Sequence, residues 1–470
     1  MIILDSKWFG VPARSTAEQN HFVVGISAFY RNHLSSTSRY IYQAANDLPR
    51  GGRCNLKRRQ KGQIMGTTNE LIYLDNNATT PTDPAVVETM LPFFNAQYGN
   101  AASRTHALGW MAEEAVDQAR KQLARLIGAD TKEIVFTSGA TESDNLAIKG
   151  IAEAYRRKGK HLVTLKTEHN AVLDPCEHLE KRGYEVTYLE VGSDGLVDLD
   201  VLREAIRPET ILVSVMWANN ETGVIQPMQK IGKICEEAGV LLMSDATQAV
   251  GKIPVDPKSA GVHLMAFSAH KMYGPKGVGA LYVSQRNPRV KVIAQMDGGG
   301  HERGMRSGTL NVPGIAGFGK AAEIALRTRE DEAKRLSGLR DQLEHGILNR
   351  IEETYVNGST RHRLPHVSNI SFKYMDGEAL MMSFNQHLAV SSGSACTSAS
   401  LDPSHVLLAM GLSGDMAHAS LRFSLGRFTR ADDIPRVIDR VAESVEKLRG
   451  ESPIWEMYKD GVDLDAIEWP

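Results

Sequence analysis

From Leu71 onward, short apolar runs alternate with amphipathic stretches, a pattern that predicts strands separated by helices. "KEIVFTSG" precedes a helical pattern beginning near Thr141, "HLVTLK" precedes "AVLDPCEHLEKRG", and "TILVSVMWANN" precedes "MQKIGKICEEAG". Two further apolar runs, "VLLMSDATQ" and "LMAFSAHK", follow. Aliphatic and β-branched runs spaced by helices imply a mostly parallel sheet covered on both faces. After a helical stretch over residues 312–351 the order changes to isolated strands in "NISFKY" and "LRFSLGRF". The closing amphipathic helix is "ADDIPRVIDRVAESVEKLRG". This change predicts a smaller α+β domain, with the boundary near residue 320. No internal repeat is visible.

Composition narrows the class. A chain of 470 residues with 42% hydrophobic and 23% charged residues suits a soluble globular protein of two or three domains and excludes general disorder. A net charge of −2 gives no reason to expect a nucleic-acid or membrane partner. No apolar run approaches the roughly 20 residues of a membrane span. The four cysteines, Cys54, Cys176, Cys235 and Cys396, show no CxxC pair and no metal-ligand spacing. That usage argues for a reducing compartment and against a zinc site or disulfide framework. Cys235 shares an apolar helix face with Ile231 and Ile234, and it reads as core, as does Cys176.

Residues 1–66 stand apart, with ten Lys or Arg, three acidic residues and the serine cluster "RNHLSSTSRY". Their +7 leaves −9 for residues 67–470. The segment reads as a weakly ordered extension or an over-long start, with Met65 a position where a shorter chain begins. The alternative is a transit peptide.

Three segments carry chemistry. "VFTSGATESDN" puts small residues between a strand and a helix start, where unpaired N–H groups and the helix dipole favour a phosphate; plain N-capping by Thr141 is the alternative. "VLLMSDATQ" ends a strand at Asp245, and "LMAFSAHKMYGPKG" ends another at Ser268, His270 and Lys271. Ligands bind beyond the carboxyl ends of such strands. A lysine, a carboxylate 26 residues upstream and a phosphate cradle match the needs of pyridoxal phosphate, with a Schiff-base lysine and an acid that keeps the pyridine nitrogen protonated. Finally, "AVSSGSACTSAS" places Cys396 in a run of small residues with nothing large and apolar after Val390. That composition predicts a solvent-reachable loop, and the thiol becomes a nucleophile candidate when partners exist elsewhere.

Residues 71–469 resemble the cysteine desulfurases of class V aminotransferase ancestry, in their housekeeping iron–sulfur cluster assembly type. The resemblance rests on "YLDNNATTPTDP", "SGATESDN", "KTEHNAVLD", "NNETG", "DATQAVGK", "SAHKMYGPKGVGALY", "GGGHERGMRSGTLN", "SSGSACTSAS" and "SPIWEMYKDGVDLDAIEW". It implies a fold type I pyridoxal phosphate transferase. The large domain (67–320) would hold a mostly parallel seven-stranded sheet, and the segment near 71–85 would pack with the small domain (321–470). The small domain would carry the active-site cysteine loop (391–402) and a scaffold-docking tail (452–470).

By the same resemblance Lys271 bonds covalently to the cofactor, Asp245 pairs with the pyridine nitrogen and Gln248 bonds the ring hydroxyl. His169 stacks on the ring and assists proton transfer. Thr141, Ser268 and His270 hold the phosphate, Ala140 and Ala269 lie beside them, and Thr309 reaches the phosphate of a neighbouring subunit. Asn220 and Arg422 bind the substrate carboxylate, Asn220 also touching the cofactor, and Cys396 attacks the sulfur of bound cysteine. The implied activity converts L-cysteine to L-alanine in a cytoplasmic homodimer. Its persulfide feeds an iron–sulfur scaffold protein and other acceptors, such as those of tRNA thiolation. No intrinsic metal is implied, Cys396 being a candidate transient ligand to a cluster shared with the scaffold. No membrane and no direct nucleic-acid contact are implied, and the mitochondrial matrix is the alternative location if residues 1–66 are a transit peptide. Ala101 stands where the family usually has proline, and Thr222 where an aliphatic residue is common. A selenocysteine lyase, a mobilisation-type desulfurase and a non-catalytic assembly platform are the rival readings.

Overall fold

The chain divides between Thr67 and Thr68 into two units. The computed structural model describes residues 71–286, 289–392 and 402–462, all within the second unit.

Strand β1 (Ile72–Tyr73) opens that unit, and the large sheet follows as β2 (Ile134–Thr137), β3 (His161–Leu165), β4 (Glu185–Leu189), β5 (Thr210–Ser214), β6 (Leu241–Asp245), β7 (Leu264–Ser268) and β8 (Gly279–Val283). Helices α1 (Ala107–Leu126), α2 (Ala140–Tyr155), α3 (Asn170–Glu180) and α4 (Met228–Ala238) lie between or before them. The sheet order is β2-β8-β7-β6-β5-β3-β4, with parallel pairing except where β8 joins β2 and β7.

Alternation within the strands explains how this sheet holds both faces. Phe136, Val163, Val213, Met265 and Tyr282 enter one core, while Val135, Leu162, Leu212, Leu264 and Leu281 enter another on the opposite side. Successive side chains of a strand point to opposite faces, so an almost unbroken apolar run is what a sheet covered on both sides requires.

A third core belongs to the later residues. The four-stranded sheet is ordered β12 (Ser391–Ser392), β13 (Ser420–Ser424), β10 (Val367–Phe372), β9 (Thr354–Val356). Helix α6 (Asp433–Gly450) packs there through Ile434, Val437, Val441 and Val445, a helical repeat of three and four. Helix α5 (Val312–Arg350) is continuous across residue 320. Its Ile315, Phe318 and Ala322 sit in the first core and its Leu336, Leu339, Leu343 and Ile347 in the third. A helix of about 58 Å at 1.5 Å per residue thus serves as a strut for both parts, and the change of core falls within it rather than at a linker. The first described residues belong with the later part: β1 pairs in parallel with β11 (Leu388–Ala389), and Leu74 joins the third core.

Cys176 and Cys235 are fully buried. No helix of the described residues is long and apolar enough to cross a membrane.

Candidate active site

The strand ends and the β1 segment meet at a cavity of about 760 Å3. Asp245 closes β6 and Ser268 closes β7, so both side chains arrive at the carboxyl edge of the sheet, as parallel strand order directs. His270 and Lys271 follow on the 3₁₀ turn Ala269–Lys271. From the other side come Asp75, Asn77, Ser391 and Arg422.

Helix α2 supplies an anion cradle. It starts at Ala140 with Gly139 in the cap position and no side-chain cap, so Thr141 is not the capping residue that its composition allowed. The Glu142 carboxylate turns back to accept from the Ser138 amide at 2.8 Å and is itself bound by Arg306. A Cβ added at Gly139 would meet nothing within 4 Å, so the backbone here fronts open space. A sixteen-residue helix whose uncapped first turn faces a cavity attracts an anion through its dipole and free amides.

Lys271 is held in place by main chain: its Nζ donates to the Asn77 carbonyl at 2.6 Å and to the Ala78 carbonyl at 2.7 Å. Asn77 is the hub of this wall and is 1% exposed. Its carbonyl also accepts from Gln248 Nε2 (3.0 Å), its Nδ2 donates to the Asn220 carbonyl (3.0 Å), and its Oδ1 meets His366 Nε2 (2.9 Å). Asp245 Oδ1 accepts from the Thr247 amide at 2.9 Å.

His169 caps α3 through Nδ1, which accepts the Ala171 amide at 3.0 Å. An accepting Nδ1 carries no proton, and burial holds the ring below its ordinary pKa, so the neutral tautomer bears its proton on Nε2. Burial, with Lys271 and Lys276 nearby, pushes His270 down to about 4. A neutral His270 at pH 7 serves an anion by hydrogen bonding rather than by charge.

Two buried carboxyl groups that the sequence reading passed over belong to this region, Asp144 in the cavity lining and Glu168 outside it. Asp144 is fully buried, and neither of its oxygens has a hydrogen-bond partner among the described residues. Glu168 accepts the Met216 amide at 2.5 Å through one oxygen only. Burial first, and then neighbouring acids including Asp245, push both well above the usual carboxylate range. The physical cause is that a buried carboxylate without full hydrogen bonding is costly to keep ionised.

Ala140, Thr141, His169, Asn220, Asp245, Gln248, Ser268, His270, Lys271 and Arg422 all line the cavity. Ala269 is buried behind it, donating its amide to the Val278 carbonyl, and Thr309 is exposed away from it. Cys396 lies outside the described residues. Asp75, Asn77 and Ser391 also line the site and were missed. For Asp75 and Asn77 the signal was the polar run "LDNNATT" directly after an apolar strand, which carries no chemistry on its own, and Ser391 sits at the start of the quoted "SSGSACTSAS" segment. Thr222, one of the two departures, is buried, and both its amide and its hydroxyl are bound to Asn219 Oδ1. It stabilises a turn and leaves the cavity unchanged.

The residues present fit pyridoxal phosphate. The uncapped helix end, Thr141, Ser268 and His270 suit its phosphate; Asp245 suits a protonated pyridine nitrogen; Lys271 is the amine for covalent attachment.

The Aminotransferase class-V family matches residues 72–437. Cysteine desulfurase IscS of Anaeromyxobacter dehalogenans is 60% identical over 398 residues, covering 85% of this chain and 98% of that protein. The protein of the same name from Salmonella arizonae is 58% identical over 400 residues, with 85% and 98% covered. Among solved structures, a NifS-like protein superposes with a TM-score of 0.76 at 35% identity, covering 81% of this chain and all of the other. DndA from Streptomyces lividans gives 0.65 at 39%, with 74% and 97% covered. With family and relatives matched over most of its length, the chain belongs to the Aminotransferase class-V family, in its cysteine desulfurase branch.

Proposed function

We propose that the protein is a pyridoxal phosphate-dependent cysteine desulfurase that converts L-cysteine to L-alanine and supplies the sulfur for iron–sulfur cluster assembly. One observation carries the reading: Lys271, Asp245, an uncapped helix start and Arg422 converge on a single cavity. Bound there, the cofactor supplies an electron sink for carbanion chemistry at the substrate Cα.

The chain's own residues do the rest. Arg422 and Asn220 orient the substrate through its α-carboxylate, a task suited to the planar guanidinium fork. Lys271 moves the proton at the substrate Cα, a role supported by its place in the cavity, where two carbonyls hold its amine. His169 offers Nε2–H as a second proton-handling group. The thiolate of Cys396 attacks the substrate sulfur: the new S–S bond forms as the Cβ–S bond breaks, and the carbon takes up a proton to leave as alanine. The enzyme retains a persulfide for transfer to acceptors.

A homodimer is part of the reading. Leu91, Phe94, Tyr98 and Trp110 are each more than half exposed and lie close in sequence, an apolar surface that a second copy would cover. Thr309, exposed and away from its own cavity, is the residue assigned to the neighbour's phosphate. Cytoplasmic action and delivery to a scaffold protein complete the proposal.

The deciding experiment incubates the purified protein with L-cysteine and dithiothreitol, then measures alanine and sulfide together. Equal yields support the reading. Absence of alanine in cofactor-loaded protein would leave an assembly platform.

A further inference from the structure

The substrate arginine is engaged by a carboxylate of its own chain. Arg422 Nη2 donates to Asp75 Oδ1 at 2.7 Å and to Ser391 Oγ at 2.8 Å, and Ser391 Oγ donates to the same Asp75 oxygen at 2.8 Å. Arg422 Nη1 donates to the Asn220 carbonyl at 2.9 Å. Nε is buried and has no partner among the described residues. The Arg422 side chain is 6% exposed and that of Asp75 18%.

The allocation of donors matters. A guanidinium grips a carboxylate bidentately through Nη1 with Nη2, or through Nε with Nη2. Either face uses Nη2, and both of its protons are taken. An incoming α-carboxylate can form two parallel bonds only by displacing Asp75 from Nη2. Two carboxylates on one buried guanidinium would also repel each other in a poorly screened site.

We propose that Asp75 is a specificity-determining residue: it occupies the carboxylate seat of Arg422 and yields it to the α-carboxylate of an amino-acid substrate. Between turnovers it spares the protein a buried unpaired cation. During binding it charges an entry cost that only a carboxylate on Arg422 offsets, so amines without that group leave the Asp75–Arg422 pair intact. This proposal rests on the assignment of Arg422 as the substrate-carboxylate ligand.

The test titrates L-alanine, the product, into holoenzyme and follows cofactor absorbance, with cysteamine as the carboxylate-free comparison. D75N keeps an oxygen acceptor for Nη2 and Ser391 but removes the charge; D75S removes the carboxylate with a smaller side chain and guards against a folding defect peculiar to one variant. L-Alanine is expected to bind about tenfold tighter in both, the size of one lost charge–charge repulsion in a partly buried site, with cysteamine affinity unchanged. Unchanged or weaker alanine binding in both variants would overturn the proposal and make Asp75 a support for Arg422. Unchanged alanine affinity in R422A would overturn the arginine assignment itself, and the proposal with it.

Discussion

Lys271 Nζ lies 2.6 Å from the backbone carbonyl oxygen of Asn77, a residue 194 positions earlier in the chain. The amine proposed to bond the cofactor is thus aimed by the segment following β1. Lys271→Ala is expected to retain cofactor only non-covalently. Borohydride reduction followed by mass spectrometry should find no cofactor on the peptide containing residue 271, and alanine production should fall to background. A covalent adduct at another lysine would remove Lys271 from the mechanism.

Arg422→Lys keeps the charge but loses the fork. KM for L-cysteine is expected to rise about ten- to a hundredfold with a smaller change in kcat, because the interaction lost is made in ground and transition states alike. Steady-state alanine formation measures both parameters. A fall in kcat at constant KM would place Arg422 in the chemical step instead.

Burial sets two of the four cysteines aside. Burial pushes the thiols of Cys176 and Cys235 up to about 12, so neither is a thiolate at neutral pH. After a brief L-cysteine pulse the extra sulfur should appear on the peptide containing Cys396, and Cys396→Ser should abolish it, since a hydroxyl is a far poorer nucleophile. Replacing Cys176 or Cys235 by Ala should leave the persulfide in place. Its loss in either variant would contradict the assignment.

Toward the other end of the chain, two aromatic residues pack against their own body. Trp455 and Tyr458 sit on the helix Pro453–Lys459, their ring centroids 5.2 Å apart. Tyr458 stacks on Tyr374 at 4.6 Å and bonds Glu353, and Arg449 lies 4.1 Å from the Trp455 ring. The anchor holds residues 453–459, part of the tail that the resemblance gives to the scaffold. Trp455→Ala is expected to cost about 1–2 kcal/mol of local stability. Hydrogen exchange should quicken over residues 453–459 and scaffold binding should weaken, with alanine production unchanged. Unaltered scaffold affinity would count against a docking tail.

Much of this was legible in the sequence, and the exceptions have physical causes. Strands β2, β3, β5, β6 and β7 are mostly apolar and buried along almost their whole length, and that is the signature of a doubly covered sheet. Strand β4, "EVTYL", was passed over because it is only half-buried at the sheet edge. Strand β8 is fully buried, but it follows a Gly/Pro-rich turn that reads as loop. The helical stretch over residues 312–351 was visible, yet no local signal marks that this one helix passes from the first core to the third between Leu326 and Leu336. Lys271 and Asp245 stood out because strand ends select them. Asp75, Asn77, Asp144 and Glu168 did not, since their importance comes from contacts with residues more than a hundred positions away or from burial, and neither leaves a local trace.

Asp144 gives a pH prediction whose sign can be worked out. Its folded-state pKa lies well above the ordinary value of 3.8, with burial the largest cause and the charges of Asp245 and Glu168 behind it. Between the two values the folded state holds a proton that the unfolded chain has released. The stability linked to this proton is therefore fully present below about pH 4 and is lost as pH rises toward the folded value, by up to about 1.4 kcal/mol per pH unit. Asparagine has nearly the same shape and no charge at any pH, so Asp144→Asn removes the linkage. At saturating cofactor, its melting temperature should match that of the unaltered protein near pH 4 and exceed it at pH 8, with pH 6.5 as the intermediate point. Glu168 interacts with Asp144, so the effects of Asp144→Asn and Glu168→Gln should not add. An Asp144→Asn protein less stable at all three pH values would show that the carboxyl is ionised and paired in the folded state, contrary to its lack of a hydrogen-bond partner among the described residues.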